Sequence, residues 1–132
     1  MSVTRFIGLW APVALFMALI YFVSGRSLSG VHVPGGDKGA HIVAYLVLGM
    51  LCVRATHGGI GSVRLRPALV AVSLGLAYGM IDELHQSLVP GRDASVADWF
   101  ADATGVFLAV GCAAMIGTVR SSLTRDPSKP GP

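Results

Sequence analysis

The sequence predicts an all-α protein: a four-helix transmembrane bundle with both termini in the cytoplasm and a polar pocket at the extracytoplasmic ends of its second, third and fourth helices. Three observations predict it. Of the 132 residues, 53% are hydrophobic and only 13% charged, with a mean hydropathy of +0.67. An ordinary soluble domain carries about 25% charge, so this surplus of apolar surface needs lipid as its solvent. The apolar residues fall into four stretches, each of roughly the 20 residues that cross a hydrocarbon core. The acidic residues within those stretches gather at one end of the second, third and fourth.

The first span, from Phe6 to about Val23, carries no charge. Arg5 ahead of it gives the outline of a secretory signal, but the apolar run exceeds the usual length of about 7–15 residues and no A-x-A site follows. It is therefore expected as a retained anchor, supporting the bundle on its lipid side. The second span starts near Asp37 and ends at about Thr56; the third starts at Pro67, a residue suited to a first helical turn, and ends before Pro90. The fourth runs from about Ser95 to Val119. Segments 24–36, 57–66 and 89–94 are rich in Gly or contain Pro, which marks loops. One domain over 1–119 is expected, with 120–132 as a polar cytoplasmic tail of little capacity to fold.

Cys52 and Cys112 lie in apolar runs and read as small packing residues. Net charge is +3 and the pI about 9.2, but the basic residues are scattered, so no nucleic-acid partner follows. Their distribution does set an orientation. With four spans, Arg5, Arg54, Arg64, Arg66, Arg120, Arg125 and Lys129 share one side, and Arg26, Lys38 and Arg92 the other. The side richer in Lys and Arg is cytoplasmic, which places Asp37, Asp82, Glu83 and Asp98 at the external ends.

Those external ends carry the informative pattern. At about 100° per residue, Asp37, His41 and Tyr45 share one helical face, as do Asp82 and Gln86 with Glu83 one position round, and Asp98, Asp102 and Gly105. Asp82 and Glu83 lie roughly two turns inside Pro90, about 10 Å deep. A carboxylate at that depth must face the bundle interior or a water-filled cavity. Lys38, Arg92, a protonated His41 or a divalent metal are the cations that would compensate the acids; the sequence names no cofactor beyond that candidate metal.

The run Asp82-Glu83-Leu84-His85-Gln86, Val89-Pro90-Gly91-Arg92, Ser95, Asp98, Asp102 and Gly105, with Asp37-Lys38 and His41 before it, strongly resembles the VanZ-like family of bacterial membrane proteins, named for a teicoplanin-resistance protein. The resemblance covers about 34–112 and implies a cell-envelope context without bringing an established reaction. Asp102 departs from the Asn often found at that place in such proteins.

Roles must come from the residues. Asp37 suits the cap of the second span, and one turn from His41 it suits an orienting partner for a general base or metal ligand. Asp82 and Glu83 admit three readings: ion-pair glue with Lys38 or Arg92, acid/base chemistry, or metal ligation. Together Asp82, Glu83, His41 and Asp37 form the candidate catalytic set. Gln86 would order either acid, Tyr45 would donate a hydrogen bond between helices, and Ser95-x-x-Asp98 has the spacing of a capping box. Pro90-Gly91 forms the centre of a turn that brings Arg92 beside the start of the fourth span, where a guanidinium and a helix N-terminus suit an anionic oxygen. Arg92, Gln86, Lys38, Tyr45, Asp98 and Asp102 are thus the candidate substrate-binding residues. His85 is marginal to the pocket, and His32 and His57 receive no role. The expected partner is a membrane lipid or a lipid-linked envelope substrate. A non-catalytic protein whose polar cluster is structural is the competing reading.

The orientation has a direct test. In a background without Cys52 and Cys112, cysteines at His32 and Asp93 should react with an impermeant thiol reagent applied outside, and one at Gly61 should not. The reverse pattern would overturn the external pocket.

Overall fold

The computed structural model describes residues 1–26, 36–59 and 61–123. These hold four helices: α1 (Val3–Ser24), α2 (Gly36–Thr56), α3 (Leu65–Gln86) and α4 (Val96–Leu123). Each is long and apolar enough to span a membrane, so the chain is a multi-pass membrane protein. The helix ends follow local chemistry. Ser2 caps α1 by accepting the Arg5 amide N–H at 3.3 Å. Pro67 sits in the first turn of α3, where its missing N–H costs nothing.

The end of the third helix agrees with expectation and that of the fourth does not. The third helix ends at Gln86, short of Pro90, because Ser87, Leu88 and Val89 turn back onto the Glu83, His85 and Gln86 carbonyls. The fourth continues to Leu123, so the first residues of the expected tail are helical, with the Ser121 and Ser122 hydroxyls bonded back to the Gly117 and Val119 carbonyls. Residues 124–132, and His32 with the rest of 27–35, lie outside the described residues.

Packing is set by small residues. α2 touches the other three helices, whereas α1 packs on α2 and α3 but not on α4. A Cβ on Gly105 would run into the Ile42 carbonyl and the Leu46 amide; one on Gly49 would meet Ala109 and Val106, and one on Gly75 would meet Val106. Without a hydrophobic drive between helices in lipid, this close backbone approach is what holds them together. The core under it is Leu9, Val13, Ile20, Tyr45, Leu48, Cys52, Val53 and Val106. Cys52 and Cys112 are free thiols, Cys52 packed in that core.

Polar bonds tie the opposite end of the bundle from the acids. Arg5 donates to the Gly58 carbonyl at 2.8 Å, and Arg54 reaches the Gly8 carbonyl at 3.2 and 3.3 Å, joining α1 to α2. His57, for which no role was expected, organises the loop before α3. Its Nδ1 donates to the Val53 carbonyl at 2.9 Å, and its Nε2 accepts the Arg64 amide N–H at 2.9 Å.

Gly105→Leu should therefore disrupt the α2–α4 contact, costing about 1–3 kcal/mol or more as overpacking does. Gly111→Leu, at a site with open space around it, should leave the unfolding temperature in detergent unchanged. Equal stability of the two variants would refute the close-approach account.

Candidate functional site

The polar side chains of α2, α3 and α4 meet at one end of the bundle. Asp82, Glu83, Gln86, Asp98, Asp102, His41 and Tyr45 are all buried, and Asp102 is fully so. Each acid has a different solution to the loss of water.

Asp82 is held by neutral donors. The Ser24 hydroxyl donates to its Oδ1 at 2.6 Å and the Gln86 amide to its Oδ2 at 3.0 Å. Gln86 in turn accepts the Arg92 guanidinium at 2.7 Å through Oε1, so Arg92 reaches Asp82 through an amide and not by direct pairing. Ser24 was expected in a loop and α1 as mere support. Instead Ser24 is the last residue of α1 and supplies the shortest of these bonds. A lone serine at a span end carries no pattern that sequence reasoning could have used.

Glu83 replaces the expected capping box. Its Oε2 accepts the Ser95 amide N–H at 2.7 Å, the bond that Asp98 would make in a Ser95-x-x-Asp98 box. Asp98 is engaged elsewhere, pairing with Lys38 at 3.1 Å. The positive end of α4 is thereby satisfied by a carboxylate from α3, which ties the two helices across the Pro90-Gly91 turn. Gly91 there adopts φ +80°, the left-handed region.

His41 is oriented by Asp102, not by Asp37. Its Nδ1 lies 2.8 Å from Asp102 Oδ1. With a carboxylate as acceptor, Nδ1 carries the proton and Nε2 remains available to take a proton or a metal. Asp37 stands in the first turn of α2, more than half exposed and 4.0 Å from Arg92. A helical turn in sequence brought Asp37 near His41, but the buried position across the α2–α4 contact offers the better acceptor.

Tyr45 does not make the expected interhelical bond: its hydroxyl, though buried, has no partner among the described residues. Tyr78 makes one instead, donating to the Met17 carbonyl of α1. Trp99 joins α4 to α3 through the Leu76 carbonyl at 3.2 Å. His85 stacks on Tyr21 with ring centroids 3.9 Å apart, away from the acids.

Beside this cluster is a cavity of about 200 Å³ between α1, α2 and α3, not between the second, third and fourth helices as expected. Phe16, Leu19, Ile20 and Val23 of α1 and Ala40 and Ala44 of α2 form an apolar wall. Ser24, Asp37, His41, Tyr45, Asp82, Gln86 and Arg92 form its polar part. Two groups also bring donor atoms within 4.8 Å of one another: Asp37, His41 and Asp98, and, fully inside, His41, Glu83 and Asp102. Six of the ten candidate site residues, Asp37, His41, Tyr45, Asp82, Gln86 and Arg92, thus line the cavity, and Lys38, Glu83, Asp98 and Asp102 lie beside it towards α4.

The sequence model of the VanZ/LLP1 family matches residues 6–117. Comparison with the curated proteins and with the solved structures returns no match.

The His41–Asp102 bond should show as energetic coupling. His41→Ala and Asp102→Ala should each destabilise the protein, and the double variant should lose less than the sum, with a coupling of about 1–3 kcal/mol. Strictly additive losses in thermal unfolding would mean that the two do not act as a unit.

Proposed function

The chain belongs to the VanZ/LLP1 family, and from that premise we propose a cell-envelope membrane protein that binds, and chemically modifies, an amphiphilic substrate such as a lipid phosphate, a lipid-linked glycan or a glycopeptide. Both termini are cytoplasmic and the polar cavity opens to the outer side, following the seven-to-three excess of Lys and Arg.

The observation that carries this reading is the two-part lining of the cavity. An apolar wall on α1 and α2 suits an alkyl chain, and it ends against Ser24, Asp82, Gln86 and Arg92. A lipid would place its tail along Phe16 and Leu19 and its head among the polar groups. Arg92, at the mouth, offers further guanidinium donors to an anionic oxygen while one N–H holds Gln86. Asp37 lines the cavity with the Lys38–Asp98 pair beside it towards α4, and Tyr45 brings a buried hydroxyl with no partner among the described residues.

In hydrolysis or group transfer, His41 would take a proton from a water or a substrate hydroxyl, with Asp102 holding the ring and stabilising the imidazolium that forms. One of Asp82 and Glu83, carrying a proton, would pass it to the leaving oxygen. Ser95 is no nucleophile in this scheme, since its role is at the start of α4.

One observation favours a structural reading beside this one. Ser24, Asp82 and Gln86 interlock α1 with α3, as a non-catalytic scaffold would require. A long-chain alkyl phosphate bearing a photoreactive tail, with the matching alcohol as control, separates the two in full-length protein held in nanodiscs. The phosphate should label the α1–α2 wall, and Arg92→Gln should reduce labelling several-fold without lowering the unfolding temperature. Equal labelling by phosphate and alcohol, unchanged in Arg92→Gln, would reject substrate binding in this cavity. For Asp82→Asn, loss of the envelope phenotype at full stability supports chemistry, and parallel loss of stability and phenotype supports the scaffold.

A further inference from the structure

The inner group of donors is not accounted for by the lipid cavity. His41, Glu83 and Asp102 come from three different helices, all are buried, and one donor atom from each lies within 4.8 Å of the others. Two of these residues also carry buried oxygens without a hydrogen-bond partner, Glu83 Oε1 and Asp102 Oδ2. A buried carboxylate oxygen left unpaired is costly. The outer group differs on this point: Lys38 sits on Asp98, and Arg92 stands 4.0 Å from Asp37. Among the described residues the only cationic partner within ion-pair distance of the inner acids is His41 itself.

From this convergence we propose that His41, Glu83 and Asp102 form a binding site for a single divalent first-row transition ion, of the Zn²⁺ or Mn²⁺ class. One imidazole and two carboxylates make a mixed nitrogen and oxygen set, which favours such ions over Mg²⁺ and Ca²⁺, whose ligands are oxygens throughout. Ligands at about 2.1 Å from one ion stand about 3.4 Å from one another in a tetrahedral site, so three donors within 4.8 Å of one another need to close by at most about 1.4 Å. The ligands must be deprotonated, so the ion competes with protons for them. Gly79 leaves the space beside this group: a Cβ there would stand 3.0 Å from Asp102 Oδ2. With the ion bound, His41 is a ligand and not the proton acceptor of the hydrolytic scheme; the site stands on these residues alone and does not depend on which amphiphile, if any, enters the cavity.

The test uses the full chain in detergent, stripped with a chelator and titrated with ZnCl₂ and MnCl₂ by calorimetry. One ion per chain should bind, more weakly as pH falls, and excess MgCl₂ should not compete. Glu83→Gln and Asp102→Asn should each weaken binding by at least about 100-fold, whereas Asp93→Asn, at an exposed position outside both groups, should bind as the parent does. Pulsed electron paramagnetic resonance on the Mn²⁺-loaded parent should show coupling to one imidazole nitrogen, a readout that needs no variant to fold. No saturable binding by the parent, binding that persists in Glu83→Gln and Asp102→Asn, or a Mn²⁺ spectrum without nitrogen coupling would each overturn the site.

Discussion

A carboxylate inside a membrane bundle has no cheap conformation, and this protein buries four of them: Asp98, which has Lys38 beside it, and Asp82, Glu83 and Asp102, which have no Lys or Arg at ion-pair distance among the described residues. Exposing any one to hydrocarbon costs more than most packing contacts return, so the arrangement of the other elements follows from their needs. The end of α1 is placed so that Ser24 meets Asp82. The start of α4 is placed so that the Ser95 amide meets Glu83, and α2 is packed against α4 so that His41 meets Asp102. Helices that are interchangeable as apolar rods thereby acquire one fixed set of neighbours.

The close approach of α2 and α4 is the mechanical counterpart. It depends on Gly105 and Gly49, where added side chains would strike the facing helix. The same register that lets these backbones meet sets His41 opposite Asp102, so packing and polar pairing support one another. Where local and long-range preferences agree in this way, competing arrangements of the same helices are disfavoured.

Much of this was legible in the sequence. Span number and type follow from composition and length, which depend on no partner, and the faces of α2, α3 and α4 follow from helical spacing. The pairings were not legible. Asp37 was the nearest acid to His41 along the chain, yet Asp102 holds it; Asp98 had the spacing to cap Ser95, yet Glu83 does so. In both cases a local rule lost to a contact between helices, because burial makes a distant partner worth more than an exposed near one. Ser24 and the part played by α1 escaped for a plainer reason: a single hydroxyl has no period. The VanZ-like resemblance rested on the acidic run and the Pro-Gly-Arg turn, and the family match extends it back through α1 to residue 6, the helix that the motif alone leaves out.

Gln86 joins Arg92 on one side to Asp82 on the other, and an amide in that place has a direction. Its oxygen must face the guanidinium and its nitrogen the carboxylate, so the two halves cannot exchange and neither Glu nor Lys could serve both. Through it, Arg92 is coupled to Asp82 without touching it. A movement of the guanidinium away from Gln86 would unpin the amide, and Asp82, farther inside, would then lose the constraint on one of its two donors. A displacement of Arg92 would in this way be felt in the interior through the turning of a neutral group, with no charge having to cross the space between them.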